Sequence, residues 1–392
     1  MTRVHYLDNN ATTPIDPLVA EAMKPYLGER FANPSSAYRC SQEVRGELEE
    51  ARGKVALLIN AHPDEIIFTS GGTEADNMAV KGIAFALRDK GRHIITSQIE
   101  HYAILNTCNY LGKFGFETTY LPVDTYGMVD VEMLKKAMRK DTILITIMHA
   151  NNEIGTIEPI EEIAHVAREH EVYLHADAAQ TVGKIPVDVK AMGVDLLSLT
   201  AHKFYGPKGS GALYVRKGIE VDPLLHGGHH ERNRRAGTEG VLGIIGLGKA
   251  AEIAKDELTE NEIRIRYLRD KLENGILERI SDVLVNGHPK KRLFNTLNIC
   301  LKNIEGQIIL INLDFEEIYV SSGSACTSGS LEPSHVLLGI GLPHEVAYGS
   351  LRLSLGKFNT EEDVDRVLEV LPTIVARLRA MSPLRGHEGG ER

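Results

Sequence analysis

Four positions in this 392-residue chain stand where a strand-like run gives way to a turn, and each carries a group that does chemistry. The run VYLHADA ends at Asp177, with Gln180 just beyond. In open α/β sheets ligands bind beyond the carboxyl ends of strands, so both side chains would face such a site. Asp177 has alanines on either side and needs a partner from another part of the chain; without one it is a solvated turn carboxylate. The run LLSLT ends at Thr200, and His202 and Lys203 follow it. A lysine beside a buried strand end is costly unless its charge is used or its pKa is lowered, which makes it an amine nucleophile. Read alone, the same stretch through GPKGSG is equally a plain turn with a surface lysine.

TSGGTEADN places Ser70, Gly71, Gly72 and Thr73 between a strand and a helix that opens with Glu74. Small residues there let the N–H groups of a helix start approach a phosphate closely. The Walker pattern GxxxxGK[ST] is absent; the alternative is an ordinary glycine turn capped by Thr73. His101, in QIEHYAIL, stands at another strand end, where an imidazole can stack on a ring or pass protons. A phosphate cradle, a lysine able to form a Schiff base and a carboxylate for a pyridinium nitrogen together make the binding pattern of pyridoxal phosphate.

A fifth group is different in kind. SSGSACTSGS sets Cys326 among small neighbours, none charged and none bulky. Such a segment has few side chains to pack and reads as a mobile arm, spanning about 321–333 and carrying a thiol. The bland alternative is a small buried hydrophobe, as free cysteine often is. Cys40, Cys108 and Cys300 fall in helix- or strand-like runs and are expected to pack. No two of the four cysteines are near in sequence, so neither a disulfide framework nor a Cys-rich zinc site is expected. His226, His229 and His230 have no ligands at zinc-like spacing around them, so no resident metal is expected there.

The elements that must position these groups alternate. From about residue 65, short runs rich in Val, Ile, Leu and Thr (EIIFT, HIITSQ, ETTYLPV, TILITIMHA, VYLHADA, LLSLT) are separated by amphipathic helical runs. That pattern predicts an α/β fold with a mostly parallel central sheet covered on both faces. A long helical pattern from Leu242 to Ile280 leads into a smaller α+β unit, ending in a helix over Glu361–Met381 and a polar tail expected to fray. The reading divides the chain into a large domain over 16–257 and a small one formed by 1–15 and 258–392.

Bulk properties narrow the function classes. Net charge is −10, from 44 basic and 54 acidic residues, which argues against non-specific nucleic-acid binding. Every long apolar stretch is broken well short of 18 residues, so no membrane span is expected. Free thiols without a signal-like N-terminus favour the cytoplasm.

Taken together, YLDNNATTP, NPSS, FTSGGTEADN, EHYAI, HANNEIGT, HADAAQ, AHKFYGPKGSGALYV, HGGHHE, RAGT, NGHP, SSGSACTSGSLEPSHVL and RLSLGKF run through nearly the whole chain. In these the chain resembles the cysteine desulfurases of the IscS/NifS type, group I, within the fold-type I pyridoxal-phosphate enzymes and the class-V aminotransferases. The resemblance implies that Lys203 carries the cofactor as a Schiff base, Asp177 pairs with its ring nitrogen, Gln180 reaches the ring hydroxyl and His101 stacks on the ring. Gly72, Thr73, Thr200 and His202 would hold the phosphate, with Thr238 contributed across a homodimer interface. Asn152 and Arg352 would bind the substrate carboxylate. Thr200 stands where many relatives have Ser, and Ala179 where they often have Thr.

The implied reaction converts L-cysteine to L-alanine and leaves the sulfur as a persulfide on Cys326. Acceptors would be an iron–sulfur scaffold protein or the tRNA thiolation machinery, and Cys326 would be a possible ligand to a transferred cluster. A selenocysteine lyase, or a binding protein that has lost the cofactor, are the alternatives to that reading.

Overall fold

The structure is a computed structural model and describes residues 4–322 and 332–381. Its first strands are β1 (His5–Tyr6), β2 (Ile66–Thr69), β3 (His93–Ser97), β4 (Glu117–Leu121), β5 (Thr142–Met148) and β6 (Tyr173–Asp177). These are followed by β7 (Leu196–Thr200), β8 (Gly211–Val215), β9 (Val283–Asn286), β10 (Thr296–Leu301), β11 (Ile318–Tyr319) and β12 (Ser350–Ser354). Seven of them form one sheet in the order β2-β8-β7-β6-β5-β3-β4. The block from β7 to β4 is parallel throughout, while β8 runs antiparallel to both β7 and β2. This is the mostly parallel sheet that the strand–helix alternation predicts.

The apolar runs explain the layering. β2, β3, β5, β7 and β8 are buried along their whole length, as strands with helices on both faces must be. The edge strand β4, ETTYL, departs from this and leaves Glu117 and Tyr120 exposed, whereas β2 at the other edge stays buried. Parallel strands end on a common side, and register does the rest. Met148, the last residue of β5, lies opposite Asp177, the last of β6, and Asp177 lies opposite Ser198, two residues before the end of β7.

A second, antiparallel sheet has the order β12-β10-β9, and β1 pairs with β11 in parallel beside it. The helix Val241–Arg279 connects the two regions. Ile244, Leu247, Ala250 and Ala251 on its first half join the core of the large sheet. Ile265, Leu268, Leu272 and Ile276 on its second half join a separate core with Leu297, Leu353 and Val367. We propose the domain division near Glu257 because the apolar partners of this one helix change there.

Cys108 and Cys300 are buried, but Cys40 is exposed on the helix Arg39–Leu58. Its expected packing role is corrected accordingly: Cys40 lies in the first turn of that helix, where residues 37–40 are exposed, and burial begins with Ser41 and Val44.

One loop is held in an unfavourable shape. Glu231, Arg232 and Asn233 have φ of 44°, 56° and 65°, a left-handed stretch that costs L-residues roughly 1–2 kcal/mol each. Buried Glu231 anchors it, accepting from Arg52 Nη1 at 2.7 Å and Nη2 at 2.8 Å, and from the Phe68 N–H at 3.0 Å. The Arg52 guanidinium in turn lies 4.5 Å from the centre of the Phe68 ring. Arg52→Met is expected to strand a buried carboxylate and to cost about 3–5 kcal/mol. A thermal melt followed by circular dichroism checks this, and an unchanged midpoint would mean the pair is not what holds the loop.

Candidate active site

The carboxyl ends of β5, β6 and β7 open into a cavity of about 450 Å³, a size usual for small-molecule sites. Ten of the expected site residues line it: Gly72, Thr73, His101, Asn152, Asp177, Gln180, Thr200, His202, Lys203 and Arg352. Thr238 does not. It lines a separate hollow of about 190 Å³ with Ser70 and Arg235. Cys326 and the rest of 323–331 lie outside the described residues. A larger groove of about 780 Å³ opens around the opposite ends of the strands, beside Thr142, Tyr173 and Asp195. The chemistry-bearing groups named above are not in its walls.

Each side chain owes its place to local structure. Lys203 ends a single 3-10 turn, Ala201–Lys203, that follows β7 directly. Its Nζ donates to the carbonyl oxygens of Asn10 at 2.5 Å and Ala11 at 2.9 Å, so the amine is held at the cavity by N-terminal backbone. Asp177 is the last residue of β6 and accepts from the Ala179 N–H at 2.9 Å. Burial raises its pKa, while that N–H, His101 and Lys203 act to lower it. A cation placed against it would favour the carboxylate further. His101 caps the helix Tyr102–Gly112 by accepting from the Ala103 N–H at its Nδ1. Burial, aided by Lys203 and opposed by Asp177, lowers the His101 pKa. The neutral ring therefore carries its proton on Nε2.

The helix Gly72–Ala86 starts at the cavity. Its N-cap is Gly71, at φ 148° and ψ −178°, and no side chain caps it. That backbone shape is open essentially to glycine alone, which is why Thr73 is not the cap that a plain glycine turn would use. The first N–H groups of a 15-residue helix are thus left to an anion from the cavity. His202 stands nearby, its Nδ1 3.1 Å from Thr12 Oγ1. Burial and the surrounding lysines hold it down at about 4, so it meets a ligand as a neutral imidazole.

Arg352 on β12 is buried. Its Nη2 donates to Asp8 Oδ1 at 2.7 Å and its Nη1 to the Asn152 carbonyl at 3.2 Å. Its Nε has no partner among the described residues, and each of the other two nitrogens keeps a second hydrogen, so the guanidinium retains donors for an incoming carboxylate. Arg352 also exchanges two backbone hydrogen bonds with Ser321, at 2.7 and 3.1 Å. Ser321 itself lines the cavity, five residues before Cys326. On the far side of that segment, Ser334 donates to buried Glu153 at 2.6 Å, and His335 Nε2 reaches the Glu100 carbonyl at 2.9 Å. Both flanks of residues 323–331 are therefore tied to the site.

Three residues in the cavity wall or just behind it were not singled out by sequence. Asn10 accepts from Lys203 and Gln180 at its carbonyl and from Asn295 and Lys184 at Oδ1. Its own amide donates to Thr296 Oγ1 at 2.9 Å, so one side chain joins both sheets. Lys184 is buried beside it. Asp76, on the helix Gly72–Ala86, also faces the cavity; burial and the charge of Asp177 push its carboxyl well above the usual range. Of the pair, Asp76 is the acid and Asp177 the group placed to carry charge. The polar run DNNATT directly after a strand-like HYL was the available signal for Asn10. Asp76 offered one too, four residues after Gly72 and hence on the same helix face.

Among the described residues no three His, Cys, Asp or Glu side chains cluster as metal ligands, and no helix is long and apolar enough to cross a membrane.

Comparison with known proteins places these features in context. Residues 5–367 match the family model described as aminotransferase class-V. A cysteine desulfurase IscS of Methanosarcina thermophila is 58% identical over 383 residues, covering 98% of this chain and 95% of that protein. Among solved structures, a NifS-like protein superposes with a TM-score of 0.91 at 41% identity, covering 96% of this chain and 100% of the other. SspA in complex with cysteine superposes with a TM-score of 0.81 at 38% identity, covering 91% of this chain and 100% of the other.

Proposed function

Because the chain belongs to the class-V aminotransferase family, on the branch of the cysteine desulfurases, we propose that it takes sulfur from L-cysteine. The sulfur goes onto its own Cys326 and from there to acceptor proteins. The observation that carries this reading is a convergence: Lys203, Asp177, the uncapped helix start at Gly72 and the Ser321 end of the cysteine segment all meet at one cavity.

Pyridoxal phosphate fits that donor set. The phosphate would take the free N–H groups at Gly72 and Thr73 with Thr200 and His202 beside them, and the ring would lie against His101 with its nitrogen toward Asp177. When bound, the cofactor supplies an electron sink for charge developing at the substrate carbon that bears the amine. Lys203 Nζ is the amine that would attach it and the base placed to take the substrate's Cα proton. Arg352, steadied by Asp8, and Asn152 would hold the substrate carboxylate. Cys326 attacks as the thiolate: an S–S bond forms to the substrate sulfur, its C–S bond breaks, and the carbon side leaves as alanine after protonation. One thiol and one cysteine thus become one persulfide and one alanine, with no outside oxidant.

A homodimer is part of the proposal, with Thr238 reaching the phosphate site of the other copy. So are an iron–sulfur scaffold or a thiolation enzyme as acceptor, and the cytoplasm as compartment. The test is incubation of the cofactor-loaded protein with L-cysteine, followed by mass spectrometry of the intact chain and assay of alanine. Sulfane sulfur on the peptide containing Cys326, with an equivalent of alanine, is the expected result. Alanine released from selenocysteine but none from cysteine would assign a selenocysteine lyase instead. A loaded protein that turns over neither would overturn the reading.

A further inference from the structure

The carboxamide of Gln180 sits between two partners of opposite kind. Its Oε1 accepts from Lys184 Nζ at 2.8 Å, and its Nε2 donates to the Asn10 carbonyl at 3.0 Å. Lys184 is buried and also donates to Asn10 Oδ1 at 3.1 Å. Both of its partners are acceptors, so it serves as a donor to each.

We propose that Lys184 is a positioning residue that fixes which end of the Gln180 amide faces the cofactor cavity. Turning the amide over would set its N–H₂ against the lysine hydrogens and its oxygen against the Asn10 carbonyl. Two good contacts would become two repulsive ones, in a site with no bulk water to relieve them. The orientation is therefore locked. One Nε2 hydrogen goes to Asn10 and the other is left for the cavity that Gln180 lines. A ligand meets an N–H donor there and never an acceptor. That suits a ring oxygen carrying negative charge and disfavours a ring hydroxyl that must donate.

As an ammonium Lys184 has no lone pair, so it meets a turned amide only with hydrogens. Burial, with Lys203 and Arg352 nearby, holds its pKa well below the ordinary lysine value; as a neutral amine it still donates to both oxygens, and the Asn10 carbonyl then supplies the repulsion that keeps the amide from turning. The rest of the lock is backbone and Asn10. Lys184 is the part that can be removed without touching the cavity wall.

This inference rests on the cofactor reading, and the experiment separates the two. Wild type, Lys184→Met, Gln180→Ala and the double variant are loaded with pyridoxal phosphate. The absorption maximum of the bound cofactor and its dissociation constant are then measured. No cofactor band in wild type would overturn the cofactor reading itself. With a band present, Lys184→Met is expected to shift it as Gln180→Ala does and to weaken binding about tenfold. The double variant should add nothing further, because the lysine acts through the glutamine. A wild-type spectrum for Lys184→Met, or a shift that adds to that of Gln180→Ala, would overturn the proposal. Should Lys184→Met fail to fold, Lys184→Gln takes its place. Its amide can still donate to Oε1, so a wild-type band supports the lock and a band like that of Gln180→Ala refutes it.

Discussion

Lys203→Ala is expected to lose turnover by about 10²–10⁴-fold and, independently of turnover, to lose the cofactor bond that borohydride can trap. The size of the effect follows from where the amine sits. Its Nζ is held by the carbonyls of Asn10 and Ala11 at 2.5 and 2.9 Å, at the end of β7 and on the cavity shared with Asp177. Lys184, a buried amine nearby, is engaged by Gln180 and Asn10 and is not placed to replace it. Rapid-quench alanine assays and mass spectrometry of the reduced protein check the two halves of the expectation. Retained turnover with a trapped bond on another residue would reassign the attachment.

Cys326→Ala should abolish persulfide formation altogether while leaving cofactor and cysteine binding close to wild type. Alternative thiols are poorly suited. Burial pushes the Cys108 thiol up to about 12 and the Cys300 thiol to about 11, so neither supplies thiolate at neutral pH. Cys40 is exposed on the helix Arg39–Leu58 and is absent from the cavity wall. The chain length is adequate for Cys326: five residues past Ser321, it can lie up to roughly 18 Å away by covalent reach alone. Peptide mapping of protein-bound sulfane sulfur decides the matter. Sulfur found on Cys40, Cys108 or Cys300 of the variant would refute the carrier assignment.

How much of this was legible in the sequence depended on the range of the interaction. The large sheet was legible because near-continuous Val, Ile and Leu runs between amphipathic helices leave few other arrangements. Strand ends then pointed to Asp177, Thr200 and Lys203 with no knowledge of contacts. The supporting network was not legible. Asp8 and Arg352 are 344 residues apart, and Asn10 and Asn295 are 285 apart, so nothing local announces either pair. Lys184 looked like any lysine in a turn, since only burial reveals that its amine faces two side-chain oxygens. The helix start failed in a subtler way. Thr73 has the right chemistry for an N-cap, but the backbone torsions of Gly71 moved the cap two residues earlier and left the N–H groups free. Cys40 shows the reverse error: a helical run gives the helix but not where along it burial begins.

The residues around Asn10 have a practical meaning for anyone handling this protein. They sit apart from the large sheet's core, and a protease that removed the segment before Thr13 would take only Leu7 from the small sheet's core. Such a clipped molecule would keep most of its apolar core yet have lost the pairing of β1 with β11, the oxygens that hold the Lys203 amine, the clamp on Gln180 and the counter-charge of Arg352. Integrity of the first dozen residues is thus a direct gauge of a competent sample.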